Sequence, residues 1–217
     1  MSAKKEKIAR RVAEELEDGE LVNLGIGLPT LVANYIPDDI DITLHSENGF
    51  VGLGPTPPEG EEDKDLINAG GEAVTINPGG AFFDTATSFA IIRGGHLDTT
   101  VLGTLQVDAQ GNLANWKIPE KLVPGMGGAM DLTTGARKVI VATTHTTRRG
   151  DAKIVEECNL PLTAEQEVDL IVTELAVFTV TDSGLLLQEK AEDTDMETII
   201  EKTDTEFEVS SSLETFV

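Results

Sequence analysis

Apolar residues open the chain at helical spacing: Ile8, Val12 and Leu16, with Ala9 and Ala13 beside them. That period predicts a helix over 4–18, stopped by Gly19. Short apolar or β-branched runs then predict strands at 21–24, 40–44, 73–76, 99–105, 138–143, 170–173 and 176–180, with 185–188 pairing back as a hairpin. Between them, 30–35 and 84–93 carry helical patterns. A last helix is expected at 194–201, opened by a capping box of Thr194 and Glu197. Residues 106–115 read as a hairpin turning at 108–112. Residues 54–65 read as an exposed loop rich in Pro, Gly and acid, and Asn77-Pro78-Gly79-Gly80 as a turn. Strands alternating with helices argue for an α/β three-layer sandwich. No internal repeat or linker divides the chain, so 1–217 reads as one domain, with 204–217 an acidic tail free to be flexible.

Charge changes this picture by exclusion. The 39 acidic residues against 16 basic ones give a net charge of -23. Nucleic-acid binding requires the opposite sign. Either a self-repelling soluble surface or adaptation to a salty cytoplasm accounts for the excess. No apolar run approaches the ~20 residues of a membrane span, and the N-terminus lacks a secretory pattern. The single cysteine, Cys158, excludes an internal disulfide and fits a reducing cytoplasm.

Candidate chemistry concentrates where apolar runs end in glycine. Leu21-Val22-Asn23-Leu24 leads into Gly25-Ile26-Gly27-Leu28-Pro29 and then a helix start. Backbone N–H groups at such a turn can hold an anion or a developing oxyanion; a tight strand-to-helix turn is the plainer reading. His45-Ser46-Glu47-Asn48-Gly49-Phe50-Val51-Gly52-Leu53-Gly54 follows another strand and reads as a strand end opening into a tight turn. Glu47 there is a nucleophile, a general base or a solvated surface residue. Gly127-Gly128 precedes a short helical segment and again offers backbone donors, or close packing of helix on strand. His96 lies near a glycine turn and an acid, but a polar loop role is commoner for such a residue. His145 has no partners at metal-ligand spacing, so no metal is expected.

Three of these stretches occur together in one order: Asn23-Leu24-Gly25-Ile26-Gly27-Leu28-Pro29, Ser46-Glu47-Asn48-Gly49, and Val123-Pro124-Gly125-Met126-Gly127-Gly128-Ala129-Met130-Asp131-Leu132. The set resembles the β subunit of the family I coenzyme A transferases and covers about 7–203. The resemblance implies the open, mostly parallel sheet of that superfamily. It implies Glu47 as covalent nucleophile, with the Asn23 amide and the backbone N–H of Gly128 (or Gly127) facing it. Gly25, Gly27, Ser46, Asn48 and Gly127 become candidates for contact with coenzyme A. In fused members a lysine follows Asn-Ala-Gly; here Gly71 stands there, which removes any contact such a lysine makes. The implied activity moves coenzyme A between an acyl-CoA (succinyl, acetyl or butyryl) and a 3-oxoacid such as acetoacetate. Acyl-CoA and short-chain carboxylates are then substrates, and no further cofactor is implied. An α subunit is the expected partner, in a heterotetramer. An acyl-CoA hydrolase using the same glutamate and a non-catalytic sugar-phosphate-binding relative are the competing readings.

Overall fold

In the computed structural model, residues 2–120, 125 and 127–217 are described. The first apolar stripe does form a helix, α1 (Ala3–Ala13), and it buries Ile8, Ala9, Val12 and Ala13. In chain order there follow β1 (Leu21–Leu24), a 3-10 turn (Pro29–Asn34), β2 (Thr43–Ser46), β3 (Phe50–Leu53), β4 (Ile76–Phe82), α2 (Thr85–Arg93), β5 (Leu97–Leu102), β6 (Gln106–Asp108), β7 (Leu113–Ala114), α3 (Ala129–Gly135), β8 (Ala136–Ala142), β9 (Ile154–Val155), β10 (Leu170–Val172), β11 (Ala176–Thr181), β12 (Gly184–Ala191), α4 (Met196–Lys202) and β13 (Phe207–Phe216).

Ten strands form one sheet in the order β13-β12-β11-β10-β8-β5-β1-β2-β3-β4. The central run β10-β8-β5-β1-β2 is parallel. Antiparallel pairs flank it on both sides, and β13 runs parallel to β12. Side chains alternate between two cores, as the period of a strand requires. Ile140, Ala142, Leu170 and Val172 pack with α1 on one face. Val139, Val141 and Ile171 pack with Ile92, Leu132 and Ile199, from α2, α3 and α4, on the other. The α/β three-layer reading therefore holds, with a mostly parallel sheet buried on both faces at its centre.

Several predicted bounds are corrected. The helix at 4–18 ends at Ala13, because Glu14, Glu15, Glu17 and Asp18 oppose the helix dipole while Arg10 and Arg11 suit its last turn. The strand expected at 40–44 begins at Thr43 and runs to Ser46, so Glu47 follows its last residue directly. The glycine-spaced segment after Glu47 is a strand, β3, and the turn is Glu47-Asn48-Gly49 itself. Gly49 sits at φ 135, where a Cβ would meet the Phe83 carbonyl oxygen at 2.4 Å. The strand expected at 73–76 begins only at Ile76, and the turn expected at 77–80 lies inside it as part of β4. Pro78 is tolerated because β4 is a sheet edge, and Gly80 lets Gly52 approach. The last helix is capped by the Asp195 carboxylate, which accepts from Thr198 N at 2.7 Å, rather than by the Thr194 box. The acidic tail forms β13, with Phe216 buried against the α1 face. Its Ser-rich middle hides the alternation from a periodicity reading.

Candidate active site

Parallel pairing of β1 with β2 sets Asn23 opposite His45, and pairing with β5 sets Asn23 opposite Thr100. All three residues are buried on the face that α2 and α3 cover. Glu47 stands at the carboxyl end of β2, two residues beyond His45, in a turn whose Gly49 N–H returns to the Ser46 carbonyl at 3.0 Å. Its carboxylate reaches the start of α3. A Cβ placed on Gly128 would lie 3.0 Å from Glu47 Oε1 and 3.2 Å from Cδ. Only hydrogen at that position leaves room for the carboxylate.

Burial pushes the Glu47 carboxyl above its ordinary range. The Gly128 backbone N–H and the Asn23 amide pull the other way, since both face the carboxylate and favour its ionised form. The result is a desolvated, more basic carboxylate flanked by two donors. It opens on a cavity of about 870 Å³ lined by Asn23, Gly25, Ser46, Glu47, Asn68 and Gly128 among others. This is the carboxyl edge of the parallel strands, where open α/β sheets place their ligands.

The remaining sequence candidates fall differently. Gly127 adjoins Glu47, with φ 52 and its would-be Cβ 3.8 Å from Oε1. Gly25 lines the cavity, but its N–H is taken by the Val101 carbonyl at 2.8 Å, so it offers no free donor. Gly27 is exposed at φ 86 and is not among the cavity-lining residues. Ser46 Oγ donates to Asn48 Oδ1 at 2.7 Å and accepts from Ala69 N at 3.2 Å. Asn48 Nδ2 donates to the Ile67 carbonyl at 2.7 Å. Ser46 and Asn48 thus strap the Glu47 turn to the 67–71 loop. Gly71 is an exposed turn residue at φ 79. Of the third motif, residues 123, 124 and 126 lie outside the described residues.

His96 is exposed beyond the end of α2, away from the cavity. His145 is fully buried, its two ring nitrogens 2.9 Å from the hydroxyls of Thr173 and Thr203. Among the described residues, no three His, Cys, Asp or Glu side chains are gathered as a metal site requires. Cys158 is partly buried near Asp108, and burial pushes its thiol up to about 12. No motif in the sequence singles out Phe89, whose ring edge would sit 3.3 Å from a Cβ on Gly128, or Ser88 beside it. Both face inward from α2, but which strand they meet depends on tertiary packing.

Burial holds both His45 and His145 near pKa 4, against 6.5 for an unfolded histidine. A group depressed in the folded state contributes stability that is complete above the unfolded value and lost as pH falls toward the folded one. Unfolding free energy is expected to drop between pH 7 and pH 5 by about 2 kcal/mol for each histidine. Denaturant midpoints at the two values check this; a flat profile contradicts it.

Residues 5–202 match the family model described as Coenzyme A transferase. The chain is 57% identical to the beta subunit of the acetate CoA-transferase of Escherichia coli K12, covering 97% of this chain and 96% of the relative. It is 56% identical to the beta subunit of the acetate CoA-transferase of Haemophilus influenzae KW20, covering 95% and 92%. It is 51% identical to the B subunit of the succinyl-CoA:3-ketoacid coenzyme A transferase of Helicobacter pylori 26695, covering 94% and 99%. Among solved structures it matches the acyl-CoA transferase (YdiF) apoenzyme of Escherichia coli O157:H7 with a TM-score of 0.79 at 26% identity. That match covers 99% of this chain and 43% of the longer one.

Proposed function

This chain belongs to the coenzyme A transferase family, on its β-subunit side, and from that premise we propose that it moves coenzyme A between an acyl-CoA and a free carboxylic acid through a covalent thioester on Glu47. The observation that carries the reading is the desolvated Glu47 carboxylate, held between the Asn23 amide and the Gly128 N–H at the cavity wall.

A carboxylate nucleophile suits this exchange because every step conserves an activated acyl group. A Glu47 oxygen attacks the donor thioester carbonyl and expels the coenzyme A thiolate, which gives a mixed anhydride. The thiolate attacks Glu47 Cδ, the donor acid leaves, and glutamyl-CoA remains. The acceptor carboxylate then attacks Glu47 Cδ and expels the thiolate, which finally attacks the new acyl carbonyl and restores free Glu47. In the second and third steps negative charge builds on the Glu47 carbonyl oxygen itself. Asn23 and Gly128 already face that group, and preorganised donors of this kind contribute roughly 3–4 kcal/mol each. Raised basicity strengthens the carboxylate as a nucleophile once it is ionised, and exclusion of water protects the thioester from hydrolysis.

The described residues lining the cavity include Glu47, Glu62 and Glu72, and neither Lys nor Arg. Anionic coenzyme A then draws its counter-charges from beyond these walls. An α subunit, assembled with this chain as a heterotetramer, is the proposed source. The proposed substrates are a 3-oxoacid such as acetoacetate with succinyl-, acetyl- or butyryl-CoA; coenzyme A acts as substrate, with no other cofactor. The test uses the chain co-purified with its α partner and supplied with acetoacetyl-CoA. New acyl-CoA is expected to form only with an added acid such as acetate or succinate. Coenzyme A released equally fast without an acceptor would replace transfer by hydrolysis.

A further inference from the structure

Asn23, which faces Glu47, heads a buried polar chain whose other two members, His45 and Ser88, the transfer steps above leave unused. Asn23 Nδ2 donates to the His45 carbonyl at 3.3 Å and lies 3.4 Å from His45 Nδ1. On the far side of the ring, His45 Nε2 lies 3.0 Å from Ser88 Oγ on α2. The three residues are 1%, 2% and 0% exposed, so the chain is closed off from bulk solvent.

The hydrogen-bond roles follow by elimination. A main-chain carbonyl only accepts, so the amide group beside it must present nitrogen, and this fixes which way Asn23 faces. An amide nitrogen only donates, so Nδ1 of His45 must accept, sharing with the His45 carbonyl the one amide N–H on that side. The ring proton therefore sits on Nε2 and is donated to Ser88. Phe83 stacks on the ring at 6.3 Å and 16° and holds its plane. Burial keeps the imidazole neutral, as one donor and one acceptor require.

We infer that His45 and Ser88 are positioning residues: α2, through Ser88 and the single His45 tautomer it selects, holds the Asn23 amide in the orientation that turns its remaining N–H toward Glu47. The inference rests on the transfer reading. A second contact comes from the same helix. Phe89, next to Ser88, packs against Gly128, so one helix braces both donors that face Glu47. Asn23 Oδ1 has no hydrogen-bond partner among the described residues. No such bond on that side of the amide opposes rotation, and the His45 side carries the restraint.

The test is a double-mutant cycle read as the rate of adduct formation on Glu47 in the α–β complex with acetoacetyl-CoA. Ser88→Ala is expected to slow adduct formation about 10-fold with KM within about twofold, because misplacement costs rate rather than binding. His45→Leu is expected to cost as much as Asn23→Ala, about 100-fold. His45→Gln, which keeps one acceptor and one donor, is expected to recover most of the rate. In an Asn23→Ala background Ser88→Ala is expected to have no further effect. An undiminished Ser88→Ala effect in that background overturns the inference, since the residues would then act independently. So does full activity of folded His45→Leu, checked by circular dichroism and co-purification with the partner. If the wild-type complex forms no adduct at all, the transfer reading has failed and this inference falls with it.

Discussion

Glu47→Gln is expected to lower transfer by on the order of 10⁴-fold or more and, at the same time, to raise thermal stability at pH 7. The loss follows from chemistry. An amide oxygen neither forms the anhydride nor accepts coenzyme A, and no second carboxylate takes over when a covalent nucleophile is removed. The gain follows from burial. The carboxyl of Glu47 titrates above its ordinary range in the folded protein, chiefly because it is desolvated. A group raised in this way contributes stability that is complete below the unfolded value and lost as pH rises through the folded one. Above the ordinary carboxylate range the folded chain therefore carries a stability cost for desolvating this carboxylate. A neutral amide of the same shape removes it while still facing the Gly128 N–H. The melting temperature of Glu47→Gln should exceed that of wild type at pH 7, and the difference should vanish below about pH 4. A lower melting temperature at pH 7, or activity above about a hundredth of wild type, would contradict a reactive carboxylate held at a stability cost.

Gly128→Ala should have the second-largest effect, and it separates geometry from stability. Gly128 has φ -85 and ψ 2, open to any residue, so alanine adds no backbone strain. Its methyl would nevertheless stand 3.0 Å from Glu47 Oε1, 3.2 Å from Cδ and 3.3 Å from Phe89 Cζ. The carboxylate is the movable partner and must swing away from the N–H that faces it. Loss of one aligned donor together with displacement of the nucleophile predicts a fall of about 10²–10³-fold in kcat. The folding cost should stay under about 1 kcal/mol. Gly127→Ala should show the opposite balance. At φ 52 it occupies the left-handed region, where a side chain costs about 1–2 kcal/mol, but its Cβ would be 3.8 Å from Oε1. Equal kcat losses in the two variants would remove the steric argument for Gly128.

Elements whose ends are marked by local signals were legible in the sequence. Helix α2 begins where Asp84 can cap it, and the Asp84 carboxylate does accept from Thr87 N at 2.7 Å. Strand β1 is bounded by Gly19 and Gly25 and shows in its apolar run. Elsewhere tertiary context prevailed. Strand β4 accepts Pro78 and two glycines only because its outer side has no neighbour among the described strands. Strand β13 is set by pairing with β12 across a register shift, which no local alternation encodes. The site divides in the same way. Composition and spacing left Glu47 open between nucleophile and surface residue; the joint order of three motifs narrowed it. Asn23, Glu47 and Gly128 lie far apart in sequence and meet because β1 pairs with β2 and α3 starts over the turn beyond β2. The same turn reading that offered Gly25 as a donor missed that its N–H completes the sheet at Val101. His45 and Ser88 were invisible as a pair, since only the placement of α2 brings a helix residue to a strand residue 43 positions away.

The most direct test of Glu47 as the covalent nucleophile is the intact mass of this subunit, co-purified with its α partner and quenched after brief exposure to acetoacetyl-CoA. Glutamyl-CoA on Glu47 predicts a mass increase equal to coenzyme A less water, located on the peptide that contains Glu47. Hydroxylamine should discharge it, and Glu47→Gln should lack it. An unmodified subunit in a complex that is nevertheless exchanging coenzyme A, or an adduct on any other residue, would contradict the central role of Glu47.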